Sequence, residues 1–271
     1  MHHPRATVIL TRPQGKNQAL QLRFEQAGLR VVALPALTLQ RIAVTGPVPD
    51  PATFNLVFFV SGFAVDCFFD VLTEHGMQWP QAQRAGCVGP GTVQALLRQG
   101  VAQQQILCPA DNQSYDSTGF LTRLKASAVF ASLQSVLIVC GIAGNPGLGR
   151  QLQDLSLAVT RLPLYKRDAK QWDAQQQRQM SSLFADPAEK KYVVLTSPQG
   201  IDAFVDNLAT AQINPDPLAG STTFVVTHAG QVDSLKQAWQ QKLPAGNAST
   251  LRIVQALPQE DAIFHTVTIS E

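Results

Sequence analysis

Four times along this chain a short apolar run ends in a small polar residue or a glycine, and an amphipathic helical pattern begins at once. Leu56-Val57-Phe58-Phe59-Val60 runs into Ser61-Gly62, then Ala64-Val65-Asp66-Cys67-Phe68-Phe69. Cys87-Val88 runs into Gly89-Pro90-Gly91-Thr92, then Val93-Gln94-Ala95-Leu96-Leu97. In the second half, Tyr192-Val193-Val194-Leu195 leads into Thr196-Ser197-Pro198, and Phe224-Val225-Val226 into Thr227-His228-Ala229-Gly230. Two strand openers match as well: Val8-Ile9-Leu10-Thr11 with Val136-Leu137-Ile138-Val139, and Leu34-Pro35 with Leu162-Pro163. The offset of about 130 residues is far beyond a solenoid repeat and describes a duplicated α/β unit.

Short β-rich runs alternating with helical patterns predict parallel sheets with helical crossovers. The fold class is therefore α/β, with helices flanking the sheets. A chain of 271 residues with 45% hydrophobic residues can fill two cores. Charged residues are only 15% and the formal net charge is +2, which leaves no broad basic field for nucleic acid. No apolar run approaches the roughly 18 residues of a membrane span, and the start of the chain carries no signal-peptide pattern. Cys67, Cys87, Cys108 and Cys140 form no C-x-x-C pair and have no histidine cluster beside them. Cys67, Cys87 and Cys140 lie in apolar runs or amphipathic helices and read as buried thiols, which suits a reducing cytoplasm. No metal site is expected from such spacing.

The first strand is expected over 7–10 and its helix ends at Gly28 in the manner of a C-cap. A second strand over 30–34 passes through Pro35 into 36–42, and the turn-rich 45–51 makes a surface connection. Beyond it come a strand ending at 106–109, a polar loop over 111–117, a strand over 136–139 and a glycine-rich turn over 141–149. A strand over 157–162 follows, and Leu164-Tyr165-Lys166-Arg167 repeats the character of 36–42. The Gln-rich 170–180 reads as the exposed face of a helix. A last strand over 251–254 precedes a helix starting near Asp261.

Each strand-to-helix junction offers free backbone N–H groups and a positive dipole end, both suited to an anion. Ser61, Thr92, Ser197 and Thr227 stand there, and N-capping alone accounts for such residues at about 1 kcal/mol each. Their grouping is the functional hint, because ligands of open α/β sheets bind outside the carboxyl ends of the strands. No G-x-S-x-G and no Walker lysine accompanies them. The glycine-rich 141–147 suggests a dinucleotide, but the next strand ends in Thr160-Arg161-Leu162-Pro163 without the acid a ribose needs. Tyr165 reads either as a packing residue with a wet hydroxyl or as a proton donor in a cleft. His228 reads as a cap or surface residue in the absence of a visible partner, and Arg12 is placed to meet a carboxylate.

The ordered set Leu10-Thr11-Arg12-Pro13 with Gly15, Leu34-Pro35, Phe59-Val60-Ser61, Val88-Gly89-Pro90 with Thr92, Gly141 and Gly144, Tyr165-Lys166-Arg167, Thr196-Ser197-Pro198 and His228 resembles the uroporphyrinogen-III synthase family. The resemblance spans nearly the whole chain. It implies two α/β domains joined by a two-stranded linker: a discontinuous domain of 1–36 and 168–271, a second of 43–163, and linker strands at 37–42 and 164–167. It implies cyclisation of hydroxymethylbilane with inversion of ring D and loss of water, with no cofactor and no metal. Tyr165 would assist departure of the hydroxyl group. Arg12, Ser61, Gly62, Thr92, Gly141, Gly144, Ser197, Thr227 and His228 would bind the substrate. It further implies a cytoplasmic monomer without nucleic-acid or membrane partners, in transient contact with porphobilinogen deaminase. Where the family often has Arg before and within the glycine-rich turn, this chain has Cys140 and Asn145-Pro146, and Thr118 stands where Glu is common. The rival reading is a two-lobed small-ligand binding protein without catalysis, and a cofactor-dependent oxidoreductase is disfavoured by the missing ribose acid.

Overall fold

The computed structural model describes residues 6–110, 114–144 and 146–269. The sequence readings at the N-terminus, at 111–113 in the polar loop and at Asn145 lie outside those residues. In chain order the elements begin with β1 (Ala6–Leu10), α1 (Gln18–Gln26), β2 (Arg30–Ala33) and β3 (Leu37–Arg41). There follow β4 (Leu56–Phe59), α2 (Gly62–Glu74), β5 (Ala85–Cys87), α3 (Pro90–Arg98), β6 (Ile106–Leu107) and α4 (Ser117–Lys125). Next come β7 (Ser135–Gly141), α5 (Gly147–Gln153), β8 (Ala158–Ala169) and α6 (Ala174–Ala185). The chain ends with β9 (Lys190–Leu195), α7 (Pro198–Thr210), α8 (Pro215–Ser221), β10 (Thr222–Val226), α9 (Gly230–Lys242), β11 (Arg252–Gln255) and α10 (Glu260–Ile269).

The chain divides into two compact units, 1–38 with 168–271 and 39–167. Both changes of unit fall inside β3 and β8, which are neighbours in the sheet order. The first unit has a parallel sheet ordered β11-β10-β9-β1-β2. The second is ordered β3-β8-β7-β4-β5-β6, with the run from β8 to β6 all parallel. Setting β1 and β2 against β7 and β8, and β9, β10 and β11 against β4, β5 and β6, makes the two five-strand orders identical. Each sheet therefore takes two strands from one half of the repeat and three from the other, so the duplication visible in the sequence is cut across by the units.

The inner strands are buried on both sides, which is why they read as unbroken apolar runs. In the first unit Ile9, Val193 and Phe224 enter one core, while Val8, Val194 and Val225 enter the other. In the second unit Val57, Phe59 and Val139 face one core and Leu56, Phe58 and Ile138 the opposite one. Helix ends follow local chemistry. After α1, Gly28 sits at φ +82°, its N–H bonds to Glu25 O at 3.0 Å, and that of Leu29 bonds to Phe24 O at 3.0 Å. This double closure needs a left-handed residue that glycine adopts without strain.

Segment 170–180 differs from its sequence reading. Trp172 is 3% exposed and Met180 fully buried, and the helix starts only at Ala174, with Asp173 accepting from Gln176 N. The cause is Asn207, itself buried on α7. Its Oδ1 accepts from Trp172 N at 2.7 Å, and its Nδ2 donates to Lys170 O and Ala203 O at 2.8 Å each. The side chain thus satisfies backbone groups of a segment that joins no sheet, as a buried polar group must. Asn207→Ala would strand these groups and should cost about 2–4 kcal/mol. Urea unfolding followed by tryptophan fluorescence measures the loss, and an unchanged midpoint would show that water replaces the amide.

Candidate functional site

In the second unit the strand following β4 lies on one side of it, and the strand following β7 lies on the other. Their adjacent carboxyl ends therefore form the switch point at which open α/β sheets leave a crevice. A cleft of about 310 Å³ lies there. Its lining includes Val60 after β4, Val88 after β5, Cys140 to Gly144 at the end of β7, and Arg161, Tyr165 and Arg167 from β8.

The register of β7 and β8 decides which side chains enter this space. Pairs run Val139 with Leu162 and Cys140 with Pro163, then Gly141 with Tyr165, so β8 holds one extra residue. Such a bulge flips the alternation beyond it. Arg161 falls on the side of Ile138 and Cys140, whereas Tyr165 falls on the side of Val139 and Gly141. The Tyr165 ring is 1% exposed and lies edge-on to Phe63 at 5.2 Å between centroids. Its hydroxyl is 3.3 Å from Ser61 Oγ, and the Arg167 guanidinium stands 5.9 Å from the ring centre. Ser61 also caps α2, accepting from Ala64 N at 3.2 Å. The hydroxyl is therefore held by a residue fixed to a helix terminus. Gly62, the first residue of α2, is buried beside it.

Gly141 is small for a reason: a Cβ there would lie 2.9 Å from Tyr165 Cε2. The turn closes with Gly144 N donating to Gly141 O at 3.0 Å. Arg161 Nη2 donates to Gly144 O at 3.1 Å and lies 3.6 Å from Cys140 Sγ. Asp116, at the opposite wall, caps α4 by accepting from Gly119 N at 2.9 Å, and that bond holds its carboxyl below the usual carboxylate range. Two thiols of this unit are held in the protonated form. Burial pushes Cys67 up to about 11, and the hydrogen bond with Cys108, together with burial, pushes Cys87 up further. Among the described residues no cluster of His, Cys, Asp or Glu has the geometry of a metal site, and no described helix is long and apolar enough to cross a membrane.

Of the residues singled out from sequence, the structure brings Tyr165, Ser61, Gly62, Gly141 and Gly144 together around this cleft. Thr92 lies within the first turn of α3, whose N-cap is Gly89, and it is Val88 from that junction that lines the cleft. The other residues stand at the carboxyl ends of the first unit's sheet. Ser197 caps α7 by accepting from Gly200 N at 3.1 Å. Thr227 is not a cap; its N–H donates to Gln231 Oε1 at 2.8 Å. His228 is exposed, and its Nδ1 accepts from Gly230 N at 3.2 Å. Arg12 already meets a carboxylate, Glu260, at 2.9 Å. Arg161 escapes a reading of the sequence because it sits in a strand notable there only for the acid it lacks.

The family model for uroporphyrinogen-III synthase HemD matches residues 18–246. The chain belongs to the uroporphyrinogen-III synthase family. Solved structures agree in fold. The uroporphyrinogen-III synthetase of Helicobacter pylori 26695 aligns over 98% of this chain and 100% of its own, at 14% identity and a TM-score of 0.56. A selenomethionine mutant of the uroporphyrinogen III synthase of Thermus thermophilus aligns over 98% of both chains, at 11% identity and a TM-score of 0.51. No curated protein matches by sequence. The glycine turn lines the cleft between Tyr165 and Arg161. Gly141→Ala should displace the Tyr165 ring and cost about 1–3 kcal/mol. Gly149→Ala in α5, whose Cβ would meet Ile138 Cδ1 at an ordinary 3.6 Å, should be neutral or stabilising. Thermal melting of the two variants compares them, and equal melting temperatures would show that the ring is not confined.

Proposed function

We propose that this chain is a uroporphyrinogen-III synthase that closes hydroxymethylbilane, with the second unit's cleft holding the reacting part of the bilane. The observation that carries the reading is the buried Tyr165 hydroxyl paired with Ser61, in a cleft at a sheet switch point, within a chain of this family. Water leaves the ring A hydroxymethyl group and an azafulvene forms. Ring D attacks it through a spiro intermediate and is inverted on closure. The Tyr165 phenol donates a proton to the departing hydroxyl and regains one as ring A loses its N–H proton to become the azafulvene, while Ser61 Oγ keeps the phenol aligned. Backbone N–H groups at the strand ends receive acetate and propionate arms. Folding the bilane toward the inverted closure is the larger task, because the uninverted ring closes without enzyme. We place the enzyme in the cytoplasm as a monomer that takes the bilane as porphobilinogen deaminase releases it.

A coupled assay tests this directly: the deaminase supplies bilane and the oxidised type I and type III isomers are separated. Tyr165→Phe keeps the ring's packing and removes the proton. The type III rate should fall about 10²-fold, the low end of general-acid help. Ser61→Ala should fall less, by about tenfold, the size of one orienting hydrogen bond. Full wild-type rate in Tyr165→Phe would reduce the tyrosine to packing and leave catalysis to substrate shape.

A further inference from the structure

The mechanism uses Tyr165 and the backbone but leaves two cations of the cleft without a task. Arg161 and Arg167 both line it, and among the described residues neither forms an ion pair. The described ion pairs of the fold engage other cations, such as Arg41 with Glu74 and Lys242 with Asp202. Arg161 uses a single nitrogen, Nη2, for Gly144 O and Cys140 Sγ. Its Nη1 and Nε have no described partner, so the rest of the planar fork is open to a carboxylate. The Gly144 carbonyl fixes the guanidinium in place beforehand, which lowers the entropy lost on binding. Ile142, 58% exposed, lines the same cleft and offers an apolar face. Apolar surface flanked by two guanidiniums suits a pyrrole that carries carboxylate arms.

We propose that Arg161 and Arg167 of β8 form a carboxylate subsite in this cleft, with Arg161 gripping one side-chain acid of the tetrapyrrole through its free fork and Arg167 a second. The assignment rests on the proposed reaction for its ligand class. It makes Arg161 a binding and positioning residue that orients a pyrrole ring relative to the Tyr165 hydroxyl.

Equilibrium binding of uroporphyrin III, followed by its fluorescence, tests the subsite without turnover. Arg161→Gln should weaken binding about tenfold to a hundredfold, the value of a charge-assisted hydrogen bond, and should flatten its salt dependence. Arg161→Lys keeps the charge without the fork and should fall between the two. Arg167→Gln should also weaken binding, and Arg98→Gln at the end of α3 should not. Coproporphyrin III, whose acetates are replaced by methyl groups, should bind more weakly and respond less to Arg161→Gln if an acetate is the acid held. In the coupled assay Arg161→Gln should raise KM more than it lowers kcat. Wild-type binding and salt slope in both Arg161→Gln and Arg167→Gln, in protein of unchanged melting temperature, would overturn the subsite while leaving the reaction intact. Failure of the wild-type chain to make type III isomer, with Arg161-dependent binding preserved, would remove the reaction and keep the subsite.

Discussion

β8 follows β7 residue for residue from Ala158 beside Ser135 to Pro163 beside Cys140, then gains one residue, so that Tyr165 and not Leu164 faces Gly141. The place of Tyr165 in the cleft depends on that step. Without it, Tyr165 would keep the parity of Arg161 and Pro163 and point to the opposite core. With it, an aromatic ring lies against the one residue of β7 that has no Cβ, and its hydroxyl reaches the Ser61 that caps α2. Arg161, before the step, keeps the regular register on the side of Cys140, where it ties the glycine turn by one nitrogen. Tyr165 and Arg161 thus line one crevice from opposite sides of a single strand.

The two sheets share a strand order only when the halves of the chain are exchanged, and this explains why the repeat is plain in sequence and the units are not. Ser61 and Ser197 occupy equivalent caps before helices of equal length, α2 and α7, and both accept from the amide three residues on. The equivalence is local chemistry and survives exchange of partners. What surrounds the serines differs: in the described structure Ser61 has Tyr165 beside it, while in the first unit Thr11 Oγ1 donates to Val194 O at 2.6 Å across the corresponding strands.

What is legible in the sequence is what short-range patterning determines. Runs such as Val193-Val194-Leu195 specify buried parallel strands, and Gly28 specifies a helix stop. The carboxyl ends of strands, singled out in the sequence, are where the cleft lies. What is not legible depends on distant partners. Trp172 looks exposed because its neighbours are Gln and Lys, and its burial is set by Asn207 on another helix. Thr92 and Thr227 look like caps, but the N-cap positions of α3 and α9 are Gly89 and Ala229. α8 escapes detection because Pro215 and Pro217 break the apolar period of so short a helix. Arg161 carries no signal at all, since nothing local tells a charged residue in a strand that a glycine turn from the next strand will meet it.

Hydrogen exchange of the intact protein with and without saturating uroporphyrin III tests the central claim, that the second unit's switch-point cleft holds the tetrapyrrole. Slowed exchange is expected in peptides covering 60–64 and 141–144, while 77–81, which lines a separate pocket of the same unit, should be unaffected. Unchanged exchange at 60–64 and 141–144, in a protein shown by fluorescence to be saturated, would contradict it.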